Sequence, residues 1–128
     1  MLSADSYCGH ENILTHTFEG PAAGFVPTVV LYDEFTDTNG YIGYLPSDES
    51  IYVVFRGSIS IANWLTDFDA TLAPYDAFPE CDCQVHMGFQ LSLKTVYAQT
   101  LTEVRRLMKQ HPTYKVKTTG HSLGAALA

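Results

Sequence analysis

Residues 115–128, KVKTTGHSLGAALA, decide the fold. Val116, Thr118 and Thr119 favour an extended strand, and Leu123 with the alanines that follow favours a helix start. Between them stands Gly120-His121-Ser122-Leu123-Gly124, a G-x-S-x-G turn. The chemistry explains the pattern. A serine hydroxyl is a poor nucleophile until a neighbouring base takes its proton, so it must be fixed and accessible. A sharp strand-to-helix bend achieves this but crowds the backbone, and glycines two before and two after leave room where a Cβ would clash. The Leu123 N–H then faces the site as half of an oxyanion hole, aided by the positive end of the helix. His121 lies inside the bend, where neighbouring side chains diverge, so it is not assigned as the base. The bland alternative is a glycine-rich helix cap carrying an ordinary serine. The preceding strand and the small residues Ala125, Ala126 and Ala128, which let the helix pack closely on a sheet, favour the nucleophile.

Working outward, the period changes upstream. Phe89, Leu93, Val96, Tyr97, Leu101, Val104, Leu107 and Met108 recur at three and four, predicting one long helix over residues 89–110. His111-Pro112 ends it, since the residue before proline avoids helical geometry. Residues 28–35 and 38–45 read as strands, the second opened by the turn pair Asn39-Gly40. A turn at 46–50 leads to IYVVFRG, 51–57, a continuous apolar run expected of a central strand buried on both faces. Residues 58–88 read as a long irregular stretch with one short helix at 61–67, and loops of that length usually carry function. A strand–long helix–strand crossover followed by the serine turn points to an α/β design. The expected sheet is mostly parallel and incomplete on its C-terminal side.

At 128 residues the chain is at most one domain. Its formal net charge of −7, with no Lys/Arg cluster, argues against nucleic acid as a partner. No stretch approaches the ~20 apolar residues of a transmembrane segment, and residues 1–10 lack the pattern of a signal peptide. The cysteines are Cys8, Cys81 and Cys83, an odd count. Cys81-Asp82-Cys83, with Cys8 or His86 as further ligands, could hold a metal, but the spacing does not match the usual zinc knuckles and no metal is assigned. Cys8 reads as a buried thiol or as half of a disulfide.

The blocks IYVVFRGSISIANWLTD, CQVHMGF and TGHSLGAALA, in this order, resemble the fungal class 3 lipases of the α/β-hydrolase fold, a family that includes feruloyl esterases. The resemblance begins at LSADSYC, residues 2–8. TLAPYDAFPECDC is similar to the feruloyl esterase branch and SIANWLTD to the lipase branch. The resemblance implies Ser122 as nucleophile, with the Ser58 amide and hydroxyl joining the Leu123 N–H around the oxyanion. Ser58 read alone could merely cap the next turn. Ile61, Asn63, Trp64, Leu65 and Asp67 correspond to a lid helix that covers the site in water and opens at a lipid–water interface; a lone tryptophan is otherwise more often core. Tyr7 and Asp67 correspond to a pair beside the oxyanion loop, and His86 to a structural histidine near the site rather than the base.

The family's acid and base follow the nucleophile in the order Ser, Asp, His. Only six residues follow Ser122 here. The expectation is therefore a fragment, inactive alone, of a secreted serine esterase that needs no cofactor and acts on an acylglycerol or aromatic ester. A non-catalytic lipid- or glycan-binding relative is the alternative. The resemblance also implies that Cys8 pairs with a cysteine near the parent's C-terminus, and that Cys81 and Cys83 form a short-loop disulfide, tighter than usual.

Overall fold

The computed structural model describes residues 2–57 and 71–128. The expected lid residues Ile61, Asn63, Trp64, Leu65 and Asp67, and the expected oxyanion residue Ser58, lie outside these. A short helix α1 (Leu2–Asp5) and two single-turn 3-10 segments lead into β1 (Val26–Asp33), β2 (Thr38–Leu45) and β3 (Ser50–Phe55). Then come β4 (Leu72–Pro74), β5 (Gln84–His86), the long helix α2 (Met87–Gln110), β6 (Lys115–Gly120) and the short helix α3 (Leu123–Leu127).

The main sheet has the order β1-β2-β3-β6. β1 pairs with β2 and β2 with β3 antiparallel, while β3 and β6 run parallel, with Phe55 opposite Gly120. The parallel character expected of the sheet is thus confined to its last pair. The physical reason is connection length: short turns after β1 and β2 can only reverse the chain, whereas α2 carries it back to start a parallel strand. The first of those turns is not Asn39-Gly40, which lies inside β2. It is 34–37, where Asp33 Oδ1 accepts from the Thr36 amide at 2.8 Å and hydroxyl at 2.7 Å, and Asp37 adopts φ 49°. Gly40 serves close packing instead, since a Cβ there would meet the Val54 carbonyl oxygen at 2.3 Å.

Period two along β3 divides the core. Ile51, Val53 and Phe55 join Leu31, Ile42, Val96, Leu107 and Leu127 beneath α2. Val54 faces the other way with Tyr41 and Leu45, onto Ile13, Phe18, Ala22 and Phe25 of the N-terminal segment. The sheet is therefore covered on both faces, as the apolar run at 51–57 anticipates. On α2, Val96 and Leu107 are buried and Phe89, Leu93 and Val104 pack against the core, but Tyr97 and Met108 are about half exposed, at the margin of the stripe. The helix ends at Gln110 as expected, with the His111 N–H closing on Leu107 O at 2.8 Å. The β4–β5 pair falls in the stretch read as irregular: strands of three residues, one ending in Pro74, show too little alternation to be seen in sequence.

Candidate active site

The register of β3 and β6 brings two strand ends together. Beyond Gly120 the chain turns sharply, and Ser122 adopts φ 55°, ψ −125°, outside the regions open to side-chain-bearing residues. Glu49 and Asp82, also at positive φ, sit in the ordinary left-handed well at ψ 46° and 31°. Ser122 is exposed, precedes α3, and its hydroxyl makes no capping bond. An ordinary N-cap serine has extended geometry and bonds the second or third amide of its helix, so that alternative does not describe Ser122. Gly124 N donates to His121 O at 2.9 Å and Ala125 N to Ser122 O at 3.0 Å. The Leu123 amide precedes both and takes no partner among the described residues.

The flanking glycines are required by contact. A Cβ on Gly120 would lie 2.1 Å from Gly124 O, and one on Gly124 would lie 2.4 Å from Phe55 O. The bend is thus pressed against the end of β3. A Cβ on Gly57, two residues beyond β3, would meet His121 O at 2.5 Å, the Tyr7 hydroxyl at 2.5 Å and Ser122 Cβ at 3.1 Å. Tyr7 reaches the bend from the N-terminal segment, its hydroxyl 3.1 Å from His121 Nδ1. The structure therefore gathers Gly57, Tyr7, Gly120, His121, Ser122, Leu123 and Gly124 in one place. Ser122 Oγ has no hydrogen-bonded histidine or carboxylate among the described residues.

His86 stands elsewhere in role: it caps α2, its Nδ1 accepting from the Gly88 amide at 3.1 Å while its ring packs on Phe89. Cys81 and Cys83 are joined in a disulfide, so neither thiolate is free for the metal reading, and Cys8 is an exposed free thiol rather than a buried one. Sequence reasoning passed over Arg56. It closes β3 and is buried, its Nη2 donating to Asp37 Oδ1 at 2.8 Å and its Nε to Gly57 O at 3.2 Å. The signal was available: a lone charge ending an apolar run.

Known proteins resemble this chain in sequence and in fold. The family described as Lipase (class 3) matches residues 52–128. A lipase of Rhizomucor miehei is 44% identical over 92 residues, covering 72% of this chain and 25% of its own length. A secreted alkaline triacylglycerol lipase of Penicillium cyclopium is 35% identical over 112 residues, covering 84% of this chain and 39% of its own. A solved triacylglycerol lipase, described as having a serine protease triad at its catalytic centre, superposes with a TM-score of 0.85 at 34% identity; the match covers 98% of this chain and 48% of that one. The chain therefore spans less than half the length of each of these proteins.

Proposed function

The chain belongs to the class 3 lipase family, and from that premise we propose that the whole protein is a secreted triacylglycerol lipase whose nucleophile is Ser122. The observation that carries the reading is the exposed, strained placement of Ser122 against the end of β3. Oγ attacks the ester carbonyl, the C=O electron pair moves onto oxygen, and the Leu123 amide donates to that oxyanion, joined by the Ser58 amide and hydroxyl. Collapse expels the alcohol, which takes the proton lost by Oγ, and water then releases the acid from the acyl-enzyme. Ile61, Asn63, Trp64, Leu65 and Asp67 form the lid, Trp64 and Leu65 its apolar face. Tyr7 and Asp67 support the oxyanion side, and Tyr7 also steadies the elbow through His121.

A serine without a general base loses most of its activation. Among the described residues none hydrogen-bonds Ser122 Oγ, and the base and the acid are proposed to follow Ser122 in the whole protein, in the family order Ser, Asp, His. Acylglycerol is favoured over aromatic ester because the relatives carry the name triacylglycerol lipase. Extracellular action follows the relative described as secreted.

The test is hydrolysis of emulsified triacylglycerol and of methyl ferulate by the whole protein and its Ser122→Ala variant. Triacylglycerol cleavage that falls by at least ~1,000-fold in the variant is expected. Cleavage of ferulate alone, or triacylglycerol cleavage that survives the substitution, overturns the reading. The 128-residue chain by itself should show no Ser122-dependent turnover of a short-chain p-nitrophenyl ester.

A further inference from the structure

Among the described residues Arg56 is the one charged side chain that is buried, 8% exposed, and the ion-pair partner found for it, Asp37, is itself largely in solvent. Burying a guanidinium against an exposed carboxylate is a poor route to stability, because the cost of removing the cation from water is only partly returned. The arrangement makes more sense as a brace. The Arg56 amide donates to Asn39 O at 2.8 Å, its Nη2 to Asp37 Oδ1 at 2.8 Å and its Nε to Gly57 O at 3.2 Å. A planar, rigid fork thus ties the β1–β2 turn to the carbonyl just beyond β3.

Gly57 needs such a tie. It must be glycine, because any Cβ would strike His121 O and the Tyr7 hydroxyl. Without a side chain its backbone loses the steric restraint that other residues have. The tie bears on the serine turn itself, because a Cβ on Gly57 would also stand 3.1 Å from Ser122 Cβ.

We propose that Arg56 is a positioning residue: braced by Asp37, it holds the Gly57 carbonyl and thereby keeps Gly57 seated against His121 and Ser122, fixing the bend that presents the serine. The inference rests on the reading of Ser122 as nucleophile and goes beyond it by naming what holds the serine turn in place from the β3 side. Arg56 touches no reacting atom. Its effect belongs to the attack on the ester, where Ser122 must be held in place, and not to ground-state binding of the ester.

The experiment measures kcat and KM on a soluble short-chain ester, together with urea unfolding, for the whole protein and its Arg56→Met, Arg56→Lys and Asp37→Asn variants, with Ser122→Ala as control. Lysine keeps the charge and can still pair with Asp37 but lacks the fixed fork, so it separates ion pairing from orientation. Expected is a fall in kcat of about ten- to a hundredfold in Arg56→Met and Arg56→Lys, the scale of a misplaced catalytic group. KM stays within about twofold, Arg56→Lys unfolds near the wild-type urea concentration, and Asp37→Asn gives a smaller fall in kcat. Wild-type kcat in Arg56→Lys, or a loss expressed mainly in KM, overturns the proposal while leaving the nucleophile intact. A wild type whose hydrolysis is unaffected by Ser122→Ala overturns the nucleophile reading and this one with it. Should Arg56→Met fail to fold, the lysine and Asp37 variants decide.

Discussion

At Ser122 the backbone itself carries a cost. A side chain held in a sparsely populated region is worth ~1–3 kcal/mol of strain, and glycine escapes it. Ser122→Gly should therefore unfold at a higher urea concentration than Ser122→Ala, by the equivalent of ~1 kcal/mol, although both remove the hydroxyl. Equal unfolding midpoints would mean that the bend is unstrained. Gly120→Ala acts in the opposite sense: its Cβ would stand 2.1 Å from Gly124 O, and overpacking of this kind costs ~1–3 kcal/mol. The bend was legible in the sequence because so tight a turn dictates glycines on either side of the residue it presents. Tyr7 could be placed beside the site only through the resemblance, since more than a hundred residues separate it from its hydrogen-bond partner His121. Arg56 was missed because its meaning lies in a carbonyl it holds, which no residue pattern displays.

At the scale of elements, strands and helix were read with errors that have causes. The end of α2 was located correctly because a proline marks it, and β2 matches the expected 38–45 although the turn pair taken to open it lies inside the strand. The turn before β2 was displaced because Asn39-Gly40 is a strong turn signal in isolation, whereas Asp33 offers its own side chain to close the chain at 34–37. Tyr97 and Met108 sit at helical spacing with the core residues yet remain half exposed, since a stripe's edge depends on what packs beside it. Leu107→Ala should cost ~2–5 kcal/mol in urea unfolding, and Met108→Ala little by comparison. A further element-scale test concerns the turn before β3. Asp48 accepts from Lys117 of β6 at 2.7 Å and from the Tyr52 hydroxyl at 2.5 Å. These bonds lower its carboxyl from the ordinary 3.8 to about 2. A carboxylate depressed on folding adds stability above its unfolded value and loses it as pH falls through the folded one. The advantage of wild type over Asp48→Asn should thus be complete above pH ~4 and vanish towards pH 2, read from urea midpoints across that range.

At the scale of the whole molecule, the fold class was legible because the crossover and the elbow stand consecutively in the chain. The mixed pairing of the sheet was not, because strand direction is set by loop length and not by strand composition. β6 forms one border of the sheet, and Val116 on it is exposed, as are Leu91, Tyr97 and Met108 on α2. Phe89, Leu93, Tyr97, Ala126 and Leu127 line a groove of about 500 Å³. An apolar face beside an open strand border favours association. The 128-residue chain should therefore scatter light increasingly with concentration, and Val116→Lys should reduce that scattering.

The parallel pair also sets a schedule. Phe55 and Gly120 meet across roughly sixty-five positions of chain, whereas β1, β2 and β3 meet across turns of a few residues. Distant partners close slowly, after local ones. Pulsed hydrogen exchange during refolding should therefore show amides of β2 shielded before those of β6. The elbow is shaped by that docking, so a growing polypeptide bends its serine into place only once β6 has found β3.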